Sequence, residues 1–341
     1  MIRTDKITND PMKGKKLFNF YRGLRKLYKS INKDEFRLLK CEVDPEVISN
    51  RIFDLLVDDE PRMICRFGAN EIATVFNYLG IKNHKNDLWG YLKYESGPWW
   101  WNKQILWQME HVAGFFPITN ESLYQFGELM MQDTNEVDVL GCWRHEEVCV
   151  EDLLEGAYKV LFPYLEPWFG KIPWTIALAD KNVLVVHPFS ELIKTQYENR
   201  QMLFDNGLLP TFKNLYTIKA VQSYGDDSGS CGFRTWFDAL KWMENEMDKI
   251  DYDVCLLGCG AYGFPLAAHA KRRGKKAVHL GGTTQLIFGI YGQRWLNPNY
   301  GVEKWGLPYN FYPNMINDFW ARPNKDTMPK NVGQVENACY W

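Results

Sequence analysis

The sequence lacks the features that mark a membrane-spanning, a secreted or a nucleic-acid-binding protein. Across 341 residues, no apolar run reaches the roughly 18 residues that a spanning helix needs. The chain opens without the charged and apolar regions of a secretory signal peptide. Lysine and arginine number 40 against 42 acidic residues, so the net charge is −2 and no overall basic field favours nucleic acid. These absences predict a cytoplasmic protein.

Paired cysteines are missing as well. Eight cysteines are scattered along the chain, and none of them forms a C-x-x-C pair. This pattern indicates free thiols in a reducing compartment. Apolar residues are abundant at 46%, and 14 of the residues are tryptophan. The chain can therefore bury the core of one large domain or two modest ones.

Residues 1–42 form a separate region by composition. Between Lys13 and Lys33 the chain has eight Lys or Arg and no acidic residue. At about 100° per residue, one side of a helix collects apolar side chains and the other side collects basic ones. The apolar side holds Leu17, Phe20, Tyr21, Leu24, Leu27, Tyr28 and Ile31. We expect a basic amphipathic helix over 13–33 that lies either on an anionic membrane surface or on the body of its own protein.

Residues 43–341 alternate between strand-like and helix-like stretches, and we expect one domain with an aromatic-rich tail after Arg294. The predicted strands are 62–67, 137–142, 182–188, 215–221, 254–257 and 276–280. The predicted helices are 45–57, 72–79, 99–113, 121–133, 146–161, 191–204 and 233–247, with Asn120 and Ser190 as N-caps. This alternation predicts an α/β, doubly wound, mostly parallel sheet of about six strands with helices on both faces.

The most informative stretch is a glycine turn between a strand and a helix. Gly258, Gly260 and Gly263 follow the strand 254–257 in G-x-G-x-x-G spacing. Such a turn lets backbone approach a phosphate at a helix N-terminus. An NAD site would need an acidic residue after the next strand, where the chain has Gly281 and Gly282 instead. We expect a nucleoside diphosphate here, with a purely structural turn and a dinucleotide site as the alternatives.

Other candidate side chains follow the other predicted strands, at the edge of the sheet where ligands collect. Arg66 is expected to pair with phosphate, and Glu71 to act as a metal ligand or a base. His187 and Glu191 are expected to contact the donor or the acceptor substrate, and Asp226 to bind a divalent cation. For Arg66 and Glu71 the alternative is an internal ion pair. For His187 it is a structural histidine, and for Asp226 it is a solvated turn.

Several of these stretches resemble the bacterial GT-D-type glycosyltransferases, enzymes that assemble surface polysaccharides and glycoprotein glycans. They are Arg66-Phe-Gly-Ala-Asn-Glu71, Val183-Leu-Val-Val-His-Pro-Phe189, the block from Leu257 to Lys271, Lys276-Ala-Val-His-Leu-Gly-Gly282 and Gln285-Leu-Ile-Phe-Gly289. The resemblance runs from about residue 60 to the end of the sequence. It implies a Rossmann-like fold, a nucleotide-sugar donor, often a UDP-sugar, and Mn²⁺ or Mg²⁺ held near an Asp-x-Glu pair.

The sequence departs from that family at the metal site. The position of the family's Asp is Ala69, the next position is Asn70, and only Glu71 matches. Three outcomes stay open: Glu71 works with Asn70 or Asp226, metal is dispensable, or activity is lost.

The resemblance and the glycine turns together predict a glycosyltransferase that uses a nucleotide-sugar donor and a glycan acceptor. If the N-terminal helix binds a membrane surface, the acceptor is expected to be lipid-linked. The glycines Gly258, Gly260, Gly263, Gly281 and Gly282 are the expected diphosphate contacts. The protein is then expected in the cytoplasm, on the inner face of the plasma membrane. The alternatives are a catalytically silent nucleotide-sugar or glycan-binding protein and an NAD-linked oxidoreductase.

Overall fold

The centre of the molecule is one sheet of seven strands whose pairs are all parallel. The structure is a computed structural model that describes residues 15–32, 37–83, 86–223, 231–324 and 339–341. The strands are β1 (Arg62–Cys65), β2 (Val139–Cys142), β3 (Tyr158–Leu161), β4 (Asn182–His187), β5 (Asn214–Lys219), β6 (Val254–Leu257) and β7 (Lys276–His279). Their order across the sheet is β3-β2-β1-β7-β6-β4-β5. The α/β, Rossmann-like prediction is confirmed.

The α-helices connect these strands and cover the sheet. They are α1 (Lys15–Ile31), α2 (Pro45–Val57), α3 (Ala69–Lys82), α4 (Leu88–Lys93), α5 (Lys103–His111), α6 (Asn120–Thr134), α7 (Ser190–Glu198), α8 (Arg200–Leu203), α9 (Trp236–Asp248), α10 (Gly263–Arg272), α11 (Thr284–Ile287) and α12 (Val302–Trp305). In the part of the chain that the structure describes, none of these helices combines the length and hydrophobicity needed to cross a bilayer.

Two hydrophobic cores lie on opposite faces of the sheet because successive strand residues point to opposite sides. Cys65 and Leu257 face the core formed with α3, α5, α6, α9 and α10. Ile64 and Leu256 face the core formed with α2, α7, α11 and the C-terminal tail. Burial on both faces explains why these strands read as continuous apolar runs, as parallel strands do.

The predicted helix 146–161 is wrong, and the sheet has seven strands rather than six. A 3-10 helix, His145–Leu154, is followed by strand β3 at the sheet edge. Only Val160 of this strand is fully buried, and the strand lacks the continuous apolar run that marks the strands at the centre of the sheet. Pairing with β2, from Val139 opposite Tyr158 onwards, defines the strand instead.

Local capping chemistry shifts several other predicted boundaries. Helix α5 begins at Lys103 because the side chain of Asn102 accepts the N–H of Gln104. Thr119, rather than Asn120, caps α6 in a reciprocal bond with Ser122. Ser190 is the first residue of α7 and forms no side-chain cap. Such side chains satisfy the N–H groups that a helix start leaves open, so they decide where the helix begins.

Helix α1 lies against the body of the protein, as one of its two interpretations predicts. The ring of Phe18 stacks on Trp100 with 4.6 Å between ring centroids. The Arg25 guanidinium lies 3.4 Å from the ring centroid of Tyr94 and 4.4 Å from that of Tyr91. These contacts fix which side of α1 faces the protein.

The connections of β4 and β6 create the crevice in which a ligand would lie. Strand β4 leads outward to β5 through α7 on one face of the sheet, whereas β6 leads inward to β7 through α10 on the other face. Neighbouring strands whose connections diverge in this way leave a crevice beyond their carboxyl ends.

Candidate active site

A cavity of about 510 Å³ opens at the carboxyl ends of β1, β4, β6 and β7. We call its inner surface the floor, formed by Arg66, His187, Gly258 and Gly281, which each follow or end one of these strands. The rim, which we define as Trp143, Tyr300, Lys304 and Trp305, closes the outer side. The cavity therefore brings together side chains that are more than 100 residues apart in sequence.

The glycine turn lies at the floor as predicted. Gly258, Cys259 and Gly260 line the cavity, and a short 3-10 turn leads from Gly260 into α10. A Cβ at Gly258 would overlap the His187 ring, so only glycine fits this close approach. Gly263 is not among the cavity-lining residues; it packs under the ring of His279 and belongs to the support of the turn.

Arg66 is the cation of the floor. Its Nη1 donates to the carbonyl of Phe67 at 3.1 Å, and its Nε is buried without a hydrogen-bond partner in the described part of the chain. The guanidinium lies against Gly281, where φ is +64° and a Cβ would overlap it. A buried guanidinium N–H without an acceptor is costly. Arg66 also lines the cavity, so an anion there can pair with the positive charge of its guanidinium.

Glu71 lies beside Arg66 in the first turn of α3. Backbone N–H groups of Asn70 and of Glu71 itself lie near its carboxylate and favour its charged form. Burial raises the pKa of Glu71, and the positive charge of Arg66 opposes that rise. The carboxyl can thus take up a proton more readily than an exposed glutamate, which a base requires.

His187 is a neutral hydrogen-bond donor rather than a base. Its Nδ1 accepts the N–H of Phe189 at 3.0 Å, which leaves the proton of the neutral ring on Nε2. Burial lowers the pKa of His187 to about 3. Glu191 does not line the cavity: its side chain is 79% exposed and pairs with Lys194 at 3.0 Å. The structure therefore brings Glu71 and His187 together but not Glu191.

The predicted metal ligands do not form a ligand set in the part of the chain that is described. Within it, no three His, Cys, Asp or Glu side chains are grouped so that they could hold an ion. Asp226 lies outside the described residues. Among the described residues, Glu71 remains with Asn70 as its neighbour in the sequence. Because divalent cations take several oxygen ligands, these residues do not fit the expected Mn²⁺ or Mg²⁺.

Several cavity residues were not predicted because they come from the aromatic-rich tail. Arg294 donates from Nη1 to the Tyr340 hydroxyl at 2.9 Å. The Lys304 ammonium lies 4.2 Å from the ring centroid of Trp143. Gly282 packs against the ring of Tyr340. The one pattern that pointed to this region was the density of aromatic residues after Arg294.

A buried carboxyl joins the tail to the body. The Tyr312 hydroxyl donates to Glu166 at 2.7 Å, and both side chains are almost fully buried. Burial raises the pKa of Glu166 to about 8. At neutral pH this group is largely protonated, so it acts as a hydrogen-bonding link and not as a fixed negative charge.

Comparison with known proteins adds no relative: no protein-family model, no curated protein and no solved structure matches the chain.

Proposed function

We propose that the protein is a glycosyltransferase that moves a sugar from a nucleoside-diphosphate sugar to a glycan acceptor during bacterial surface-polysaccharide synthesis. If the protein binds a membrane, the acceptor is lipid-linked. UDP-sugars are the donors to test first. The proposal combines the cavity geometry with the resemblance of the glycine turn to GT-D-type glycosyltransferases. It locates the enzyme in the cytoplasm, on the inner face of the plasma membrane.

The observation that carries the proposal is the cation Arg66 in the cavity lining, between two glycine turns. The turn from Gly258 to Gly260 precedes the N-terminus of α10, whose backbone N–H groups and dipole favour an anion. Arg294 and Lys304 add two further cations to the cavity lining, against the acids Glu71 and Glu303. A diphosphate fits this excess of positive charge, and the aromatic rim offers surfaces on which a base or a sugar can stack.

In the proposed step, an acceptor hydroxyl attacks the anomeric carbon of the donor sugar. The new bond between carbon and acceptor oxygen forms while the bond between carbon and diphosphate oxygen breaks. The diphosphate leaves with the electron pair, and Arg66 and the helix N-terminus stabilise its charge. In an inverting reaction, Glu71 accepts the hydroxyl proton. His187 donates a hydrogen bond from Nε2 to a substrate oxygen. No part of this step uses a metal ion.

The first experiment is thermal unfolding with UDP-, GDP-, CMP- and dTDP-sugars and NAD(P), each with Mn²⁺ or EDTA. A ligand at about 100 times its dissociation constant adds about 2.7 kcal/mol of stability. We expect stabilisation by one nucleotide-sugar class. Arg66→Ala should weaken that binding by about 2 kcal/mol, or roughly thirtyfold in Kd, because a charge-assisted hydrogen bond is lost.

Arg273→Ala is the matched control, since this arginine is exposed at the far end of α10. Its binding should equal that of the wild type. Equal affinity of the Arg66→Ala variant would contradict the assigned site. Stabilisation by NAD(P) alone would replace the transferase with the oxidoreductase. Binding of a nucleotide sugar without release of free nucleotide in the presence of acceptor glycans would identify the catalytically silent alternative, which Ala69 favours.

A further inference from the structure

Helix α1 uses only part of its apolar surface to contact the protein. Phe18, Tyr21, Leu24 and Tyr28 pack into a cluster with Tyr91, Leu92 and Trp100. Four other large apolar side chains of the same helix are more than half exposed. They are Leu17, Phe20, Leu27 and Ile31, at 54%, 59%, 56% and 69%. At about 100° per residue they fall within about 80° of the helical wheel and form one continuous stripe.

The charge of this region indicates what covers the stripe. The eight basic residues between Lys13 and Lys33 have no acidic residue among them. Three of them contact the protein, since Arg22 donates to Gln104, Arg25 lies on the rings of Tyr91 and Tyr94, and the Lys29 ammonium lies 5.8 Å from the ring centroid of Tyr94. Lys26 is exposed on the solvent side of the helix. An exposed apolar stripe on a helix of high positive charge complements a surface that is apolar inside and anionic outside.

We propose that α1 binds the surface of an anionic lipid bilayer, with Leu17, Phe20, Leu27 and Ile31 inserted at the level of the acyl chains. The helix lies in the plane of the interface, as amphipathic helices with a basic side do. The exposed Lys26 meets the negative lipid headgroups. The exposed Trp89 belongs to α4, which packs on α1, and its amphipathic ring suits the headgroup region.

The contacts of α1 with the body have a consequence for this surface. Because Phe18 and Arg25 hold the helix on the protein, membrane binding does not require the helix to detach. A helix that is already folded and oriented loses little conformational entropy when it binds. This proposal goes beyond the transferase activity and does not depend on it.

The test is flotation with vesicles of pure phosphatidylcholine and of phosphatidylcholine with about one third phosphatidylglycerol. We expect the wild-type protein to float with the anionic vesicles and not with the neutral ones. High salt should release it, because screening weakens attraction between exposed charges. The double variant Leu27→Ser/Ile31→Ser should bind about tenfold more weakly, since two inserted apolar side chains are lost.

The matched control is Leu38→Ser/Val43→Ser. These side chains are exposed to a similar degree, 56% and 59%, but lie outside α1. The control should float like the wild type, and thermal unfolding should show that both variants fold. Equal binding to neutral and anionic vesicles, no binding to either, or an equal loss in the control would overturn the proposal. The proposal would also be overturned if light scattering showed that the wild type is a dimer, that Leu27→Ser/Ile31→Ser is a monomer, and that the wild type binds no lipid.

Discussion

The floor and the rim of the cavity are built in different ways. Floor residues follow strands whose positions are fixed by pairing, such as β6 between β4 and β7. Rim residues Tyr300, Lys304 and Trp305 belong to the tail, where the structure has only short helices and turns. The floor therefore has little freedom to accept new side chains. The rim is held by contacts between side chains, such as that of Phe162 with Trp305, whose ring centroids are 5.3 Å apart.

Under the proposed function, this difference separates binding of the diphosphate from the choice of sugar and acceptor. A diphosphate is the part that all nucleoside-diphosphate sugars share, and it needs a rigid set of N–H groups and cations. The sugar and the acceptor vary, and their contacts lie where a sequence can change without disturbing the sheet. We expect substitutions at the floor to abolish binding, and substitutions at the rim to alter which substrate is used.

The largest expected effect comes from Gly281→Ala. At φ +64° a side chain costs about 1 to 2 kcal/mol, and the new Cβ would also overlap the Arg66 guanidinium. We expect a total loss of about 3 kcal/mol in the free energy of unfolding. Stabilisation by UDP-sugar should disappear. Urea unfolding with and without the ligand measures both effects.

Gly274→Ala is the control for backbone strain alone. Gly274 has φ +75°, and a Cβ there would meet nothing within 4 Å. It should lose about 1 kcal/mol and keep ligand binding intact. Equal losses in the two variants would mean that Arg66 moves aside freely, and the distinction between floor and rim would then fail.

A second prediction concerns the link between the tail and the body. Glu166 has its pKa raised from 4.5 to about 8 by burial, so the folded protein holds a proton that the unfolded chain releases. Wild-type stability should therefore fall as pH rises through this window. Glu166→Gln cannot ionise. Its stability relative to the wild type should rise by on the order of 1 kcal/mol per pH unit between pH 5 and pH 8.

Tyr312→Phe separates the proton from the hydrogen bond. This variant loses the hydroxyl that donates to Glu166 at 2.7 Å but keeps the buried carboxyl. Between pH 5 and pH 8 it should be less stable than the wild type by about 1 kcal/mol and keep the pH dependence. If the free energy of unfolding of Glu166→Gln changed with pH in the same way as that of the wild type, this carboxyl would not titrate between pH 5 and pH 8.

The elements around the cavity that follow from local sequence agree with the structure. Strand β6, the glycine turn and α10 were placed from the order of apolar run, glycines and helical residues, and Arg66 and His187 follow their strands at the cavity. Strand β3 was missed because an edge strand with one fully buried residue has no periodic pattern of its own. Pairing partners, rather than its own residues, define it.

The rim could not be predicted because it depends on tertiary contacts. Lys304 approaches Trp143 across more than 150 residues of sequence, and nothing near either residue indicates that meeting. The sequence also does not show which of two similar residues is buried. Glu71 and Glu191 both lie in the first turn of a helix that follows a strand, yet Glu71 is buried and Glu191 is exposed. Sequence position alone treats the two carboxylates as equivalent.

The smallest expected effect, at Glu191→Gln, tests that last distinction. Its side chain is 79% exposed and pairs only at the surface with Lys194 in the described structure, and such pairs contribute little. Transfer activity should stay within about twofold and stability within about 0.5 kcal/mol of the wild type. The parallel variant Glu71→Gln should lower activity by at least about a hundredfold if this carboxylate is the base. A comparable loss in both variants would mean that the acceptor approaches along α7, outside the cavity, and that the rim does not select it.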